Sequence, residues 1–204
     1  MVTLNNQNLQ TSFDRDGYIS ISPLFSVEKV EEIKNELIRY IKEVAPNVPD
    51  HHIFYENKDD KTSIKQLQQM FTYDDYFKEL IENSSIREVA EIVLREKAEP
   101  KNLQFFNKPP GIGKPTPPHQ DGYYFMLKKH NAVTCWLALE KVDEENGCIH
   151  YVKGSHKSEY RPHGRSNVLG FSQGITDFGN EEDKKNTVSF PGEPGTFLIH
   201  NAKT

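Results

Sequence analysis

His119 and Asp121 stand two residues apart in "GKPTPPHQDGYYFML", residues 113–127. On an extended segment, residues i and i+2 project to the same side, so an imidazole nitrogen and a carboxylate oxygen can meet at one point. That mixture suits Fe(II) in a facial arrangement of two histidines and one carboxylate, which leaves adjacent positions open for a co-substrate and dioxygen; zinc accepts it too. By itself the triplet is weak. With eight histidines and 30 acidic residues in 204, roughly one His followed two places on by Asp or Glu arises by chance, and the chain holds one. Gln120, between the pair, is expected to face away from a metal.

The rest of the chain must position that pair. The first half reads as helical. Ser26 is placed to cap a helix whose stripe is Val27, Val30, Ile33, Leu37 and Ile41. A second helix is expected over roughly 74–82, and a third from Ser85, where Ser85 and Glu88 have capping-box spacing ahead of Ile86, Val89, Ala90 and Val93. From Lys101 onward short β-branched and aromatic runs predict strands near 101–107, 122–127, 131–139, 148–152, 186–190 and 196–200. "DEENG" at 143–147 predicts a hairpin-type turn with Asn146 and Gly147 at positive φ, and 154–185 reads as one long polar loop. The expected architecture is a single domain, mainly β with flanking helices, in which a helix-rich 1–100 packs on a β-rich 101–204 as an antiparallel sandwich or jelly roll.

Composition narrows the function classes. Lys plus Arg number 25 and Asp plus Glu 30, a net charge of −5, and no long basic run appears, which argues against a nucleic-acid groove or an anionic membrane surface. Neither a basic-then-apolar leader nor a bilayer-length apolar run is visible, so a soluble, cytoplasmic protein is expected. Cys135 and Cys148 sit in apolar strand-like segments and are expected to be buried thiols, not a disulfide. His150, His156 and His163, with Cys148 nearby, match no compact zinc motif, and no separate zinc site is expected.

Several ordered blocks carry a resemblance. "NKPPGIGKPTPPHQDGYYF" followed by "TCWLALEKVDEENGCIHYVKGSHK" resembles the phytanoyl-CoA dioxygenase family of Fe(II)/2-oxoglutarate oxygenases, and so do "FDRDGYISISPLFS", "RPHGRSNVLGFSQGITDF" and "PGTFLIHNAKT". The resemblance implies a double-stranded β-helix, a cupin-like jelly roll with helices on its outer face. It also implies hydroxylation of a small organic substrate, with Fe(II), 2-oxoglutarate and O2 consumed or used and succinate and CO2 released.

By position, His119 and Asp121 match the first two iron ligands, and the carboxylate at 121 favours hydroxylation over halogenation. Gln104 and Trp136 match positions that line the 2-oxoglutarate site, with core packing as the alternative for each. Tyr123, His156, Arg161 and His163 are expected near the substrate mouth. In the family a further iron-binding His and a 2-oxoglutarate-pairing Arg lie beyond the block that ends here at Thr204, so the barrel is expected to be incomplete at the C-terminus. His200 matches a family histidine that is not usually the ligand; a register shift would make it a surrogate third ligand. A basic group of Lys153, Lys157, Arg161 and Arg165 leaves room for a polyanionic substrate such as an acyl-CoA. The competing reading is a cupin-like domain that binds a metal or small ligand without turnover.

Overall fold

The computed structural model describes residues 6–127 and 131–204. Helix α1 (Asn6–Asp16) ends at Gly17, whose φ of +87° turns the chain into strand β1 (Tyr18–Ile21). Ser26 caps α2 (Val27–Arg39) by accepting the Lys29 N–H, as expected. Val30, Ile33 and Leu37 face the core, but Val27 is 68% exposed because the first residue of the helix lies off the stripe. The helix runs on through a π turn, Tyr40–Val44.

Two strands follow that the helical pattern hid, β2 (Ile53–Tyr55) and β3 (Ile64–Leu67). After the short α3 (Met70–Tyr73), Asp74 caps α4 (Asp75–Glu82) through the N–H groups of Tyr76 and Phe77. Ser84, not Ser85, caps α5 (Ser85–Leu94) by accepting the Ile86 N–H, one residue earlier than expected. The first half is therefore not a purely helical layer.

The second half supplies β4 (Phe105–Phe106), α6 (Asp121–Phe125), β5 (Val133–Leu137), β6 (Ile149–Val152), β7 (His163–Val168), β8 (Phe171–Ile175), α7 (Glu181–Asn186), β9 (Thr187–Phe190) and β10 (Phe197–Asn201). Three expectations need correction. Residues 121–125 are a helical turn, not a strand, because the aromatic run begins at a carboxylate suited to a helix start and ends at Met126 in a left-handed conformation. The segment 154–185 is a paired hairpin, β7–β8, followed by a helix, and not a structureless loop. The 143–147 turn does put Gly147 at φ +94°, with Asn146 outside the positive-φ residues, but it does not close a hairpin: β6 pairs with β9 and β5 with β10.

The described strands form four small sheets, β1-β10-β5, β2-β3-β4, β6-β9 and β7-β8, and among them no barrel closes. The fold is accordingly a mixed α/β arrangement. The central sheet β1-β10-β5 has two different faces, as alternation dictates. Ile19, Ile199 and Cys135 line up across it, as do Ile21, Phe197 and Leu137, and this face packs on Phe13 of α1 and on Val89, Ala90 and Val93 of α5. The other face carries Tyr18, His200 and Thr134 in one row and Leu198 and Trp136 in the next. Helices α2 and α4 enclose a second core with β3, built on Ile33, Leu37, Tyr40, Leu67, Met70 and Phe77. No described helix is long and apolar enough to cross a membrane.

Arg161 fastens the hairpin segment to its surroundings. Its guanidinium donates to Asp183 Oδ1 at 2.7 Å, to Asp177 Oδ1 at 2.9 Å and to the Asp177 carbonyl at 2.6 Å. Asp183 in turn forms a capping box with Asn180 at the start of α7. Burial works against the Asp183 charge, yet Arg161 and the N–H groups of Gly179 and Asn180 hold its carboxyl below the usual range. A depressed carboxylate adds stability above its unfolded pKa and loses it as pH falls through the folded one. Asp183→Asn is expected to lower stability at pH 7 by about 1–3 kcal/mol. In urea denaturation the gap to wild type should begin to narrow below pH of about 4, where the unfolded carboxylate takes up a proton, and close as pH falls through the lower folded pKa.

Candidate metal centre

The "PTPP" run keeps the chain extended up to His119 and leaves its last carbonyls without helical partners. Two of those carbonyls are used. Pro117 O accepts from His119 Nδ1 at 2.8 Å, and Pro118 O accepts from the Ile175 N–H of β8 at 2.8 Å. Because a carbonyl only accepts, the first bond fixes Nδ1 as a donor and turns Nε2 toward Asp121. Gln120 is still extended, with φ −117° and ψ 121°, and Asp121 opens α6. The two side chains therefore converge as the i, i+2 argument requires: His119 Nε2 lies 3.1 Å from Asp121 Oδ1.

The second carboxylate oxygen is held from the central sheet. Thr134 Oγ donates to Asp121 Oδ2, and His200 Nε2 lies 3.0 Å from the same oxygen. Thr134 and His200 are cross-strand partners on the inner face, so one rung of the β5–β10 ladder delivers both groups. Tyr151 of β6 completes the chain, its hydroxyl 2.8 Å from His200 Nδ1 and its ring packed between Tyr18 and Phe190.

Charges follow from this geometry. Burial opposes ionisation of Asp121, but the hydrogen bonds and charges of His119 and His200 hold its carboxyl well below the usual range. Burial also presses the His119 pKa down, and the Asp121 bond and charge more than offset it, so the net shift is upward. Tyr151 is driven well above the ordinary phenol value by burial and by the Asp121 charge, which keeps its hydroxyl a donor. With Tyr151 donating to Nδ1, the His200 proton sits on Nε2 and points at Asp121. An imidazole nitrogen and a carboxylate oxygen facing each other, with the other atom of each group already bonded, fit a borderline divalent cation such as Fe(II).

The remaining residues singled out from sequence fall in distinct places. Gln120 is buried with its back to the pair, its amide donating to Lys203 O and accepting from the Arg161 N–H. Tyr123 stacks on His163 at 4.0 Å between ring centroids, and His163 Nε2 accepts the Gln120 N–H. Arg161 has its guanidinium committed to Asp177 and Asp183. His156 donates to the Asp14 carbonyl near the end of α1, with its ring beside Gly17 and Thr204. Trp136 shares the inner face with Thr134, two residues along β5. Gln104 is exposed and accepts from the buried Gln66. Phe171 of the hairpin links the two regions, its ring 4.9 Å from His119 and 5.6 Å from Phe106.

Thr134, Tyr151 and Gln66 were missed by sequence reasoning. Thr134 had a usable signal, since it shares strand parity with Trp136; Tyr151 and Gln66 depend on pairings that no local pattern reveals. Both cysteines are free thiols, with Cys135 pushed up to about 12 by burial. A surface depression lined by Arg39, Tyr73, Asp74, Tyr76 and Lys78 contains no member of the His119 cluster.

The chain is similar to several known proteins. The bovine (Bos taurus) "Phytanoyl-CoA dioxygenase, peroxisomal" is 27% identical over 208 residues, covering 93% of this chain and 61% of the relative. The mouse (Mus musculus) protein of the same name is 35% identical over 107 residues, covering 47% of this chain and 32% of the relative. A "Probable alpha-ketoglutarate-dependent hypophosphite dioxygenase" of Stutzerimonas stutzeri is 25% identical over 92% of this chain and 67% of its own. The chain thus spans about 61% of the bovine relative's length. The expectation of a cytoplasmic protein is set aside, because these mammalian relatives are named as peroxisomal.

Among solved structures, EctD from S. alaskensis with bound Fe superposes with a TM-score of 0.78 at 17% identity, over 98% of this chain and 69% of that one. The carbocyclase SnoK from nogalamycin biosynthesis also gives 0.78, at 19% identity, over 98% and 76%. At these identities the likeness is one of fold, relating the mixed α/β arrangement to the cupin-like double-stranded β-helix. The sequence profile described as "Phytanoyl-CoA dioxygenase (PhyH)" matches residues 13–204, which is nearly all of the chain. With that match added to the His119–Asp121 geometry, the chain belongs to the phytanoyl-CoA dioxygenase family.

Proposed function

We propose that this protein is a non-heme Fe(II)- and 2-oxoglutarate-dependent dioxygenase that hydroxylates a small organic substrate. The observation that carries the reading is the convergence of His119 Nε2 and Asp121 Oδ1 at 3.1 Å in a chain of this family. In this reading the four sheets are arcs of a double-stranded β-helix, and the metal sits between the "PTPPHQD" segment and the inner face of β5–β10. When bound, Fe(II) with 2-oxoglutarate supplies the oxidation of a carbon–hydrogen bond by dioxygen, with succinate and CO2 as co-products.

The chain's own residues then have separable tasks. His119 and Asp121 hold the cation. Thr134 and His200 tie down Oδ2, leaving Oδ1 as the oxygen presented to the metal, so His200 is a positioning residue and not the surrogate ligand. Trp136, on the same face as Thr134, lines the 2-oxoglutarate site, and Gln104 is assigned to it by its place in the sequence alone. Tyr123 and His163 form one wall of the substrate mouth. Arg161 and His156 fasten the surrounding loops and do not touch substrate. The carboxylate at Asp121 favours hydroxylation over halogenation in this reading.

Anaerobic addition of Fe(II) and 2-oxoglutarate to the purified protein is expected to produce a weak visible charge-transfer band and, on admitting oxygen, succinate. His119→Ala and Asp121→Ala should each reduce both signals to those of the metal-free control. An absent band in protein that remains folded by circular dichroism removes the oxygenase reading and favours a barrel that binds without turnover.

The task given to His200 has its own readout in Fe(II) affinity. His200→Ala should weaken binding by about 10–100-fold, the usual cost of removing an outer partner of a metal ligand. His200→Gln, which can still donate to Asp121, should stay within about threefold of wild type. Equal losses in the two variants would make His200 a ligand.

A further inference from the structure

A second group of metal-binding side chains lies on the opposite face of β6 from the Asp121 centre. Ile149 and Tyr151 point inward and pack with Tyr18 and Leu198. By strand alternation Cys148 and His150 share the other side, and Glu144 reaches them from the preceding turn. His150 Nε2 is 3.0 Å from Glu144 Oε2, and one ligand atom from each of Glu144, Cys148 and His150 lies within 4.8 Å of the others. Among the described residues no other trio of His, Cys, Asp or Glu meets that spacing, the His119 cluster included.

The backbone that carries the trio is well fixed. Asp143 Oδ1 accepts the N–H groups of Glu145 and Asn146, Asn146 Oδ1 accepts the Asp143 N–H, and the Asp143 carbonyl accepts from Gly147 and Cys148. Ser189, the β9 partner of His150, hydrogen-bonds the Glu144 carboxylate. Zinc bonds of about 2.0–2.3 Å place tetrahedral ligands about 3.3–3.8 Å apart, so the widest separation in the trio closes by at most about 1.0–1.5 Å while the 3.0 Å His150–Glu144 pair opens slightly, shifts that the exposed Glu144 and His150 side chains can supply.

We propose that Glu144, Cys148 and His150 form a surface zinc site, closed by a water as fourth ligand. A thiolate, an imidazole and a carboxylate are the three protein ligand types of zinc, and the two anions balance its charge. Lys108, the cation beside the thiol, donates to the Gly147 carbonyl at 3.2 Å. Burial and the Glu144 charge keep the free Cys148 thiol protonated, so metal entry releases a proton from it. The ion would clip the 143–147 turn to the β6–β9 pair. Sequence spacing alone misses this site because its third ligand is a glutamate in the turn, outside any His/Cys motif.

Cobalt(II) added to the reduced protein tests the site, because thiolate-to-cobalt charge transfer gives a near-ultraviolet band that the sulfur-free His119–Asp121 centre cannot produce. One cobalt per chain with this band, displaced by zinc, is expected. The band should survive in His119→Ala and in Cys135→Ser and disappear in Cys148→Ser. Because Cys148 is buried and its loss can affect folding, His150→Ala at the surface serves as the second variant. It should weaken cobalt binding by at least about 100-fold, beyond the loss of an outer partner. A folded wild-type protein without the band, or a band unaffected by His150→Ala, overturns the proposal.

Discussion

Removing a carboxylate from bulk water costs several kcal/mol unless its oxygens are met by donors or cations, and Asp121 is the group on which the second half of this molecule is organised. Each of its oxygens is met from a different direction. Oδ1 faces the imidazole of His119 on its own loop, and Oδ2 faces a threonine and a histidine from two strands of the central sheet. Loop, helix start and sheet are therefore held in one relation by a single negative charge. Tyr151 extends the arrangement to a second sheet, since its hydroxyl reaches His200 from β6.

That dependence explains why the central sheet has such unlike faces. Towards α1 and α5 it presents Ile19, Ile21, Phe197, Ile199, Leu137 and Cys135, closely packed, with Phe197 and Ile199 fully buried. Towards the carboxylate the same strands present Thr134, His200 and Tyr18. The apolar face fixes the strands, and the polar face uses their fixed register to place donors. The hairpin β7–β8 closes the other side: Tyr124 donates to the Gln173 carbonyl, the Ile175 N–H reaches Pro118, and Phe171 lies against His119.

How far the sequence revealed this depended on whether the determining forces were local. Ser26 and the α2 stripe were legible because capping and a 3.6-residue period act within a few residues, and even there Val27 fell outside the buried face. The His119–Asp121 pair was legible because its geometry is set by two intervening peptide units. The aromatic run after Asp121 read as a strand because Tyr and Phe favour pleated surfaces, yet the site bends it into a helical turn that brings Gly122 against Ala202, the residue that follows β10. Strands β1 to β3 were lost against a helical background: β3 is buried throughout, including Lys65, which pairs with Glu56 at 2.7 Å, so it shows no alternation to read. Thr134 and Tyr151 acquire their meaning only from pairing across the fold.

Gly122 shows how little freedom the carboxylate's neighbour has. Its N–H donates to the Ala202 carbonyl at 2.7 Å, and a methyl group there would come within 2.1 Å of the Tyr160 hydroxyl and 3.0 Å of that carbonyl oxygen. Space, and not coordination, thus dictates the fourth letter of His-Gln-Asp-Gly. A genome scan that demands only the two ligating letters admits accidental hits, whereas one that also demands an unsubstituted α-carbon directly afterwards selects chains able to dock this turn flush against the backbone that leaves the central sheet.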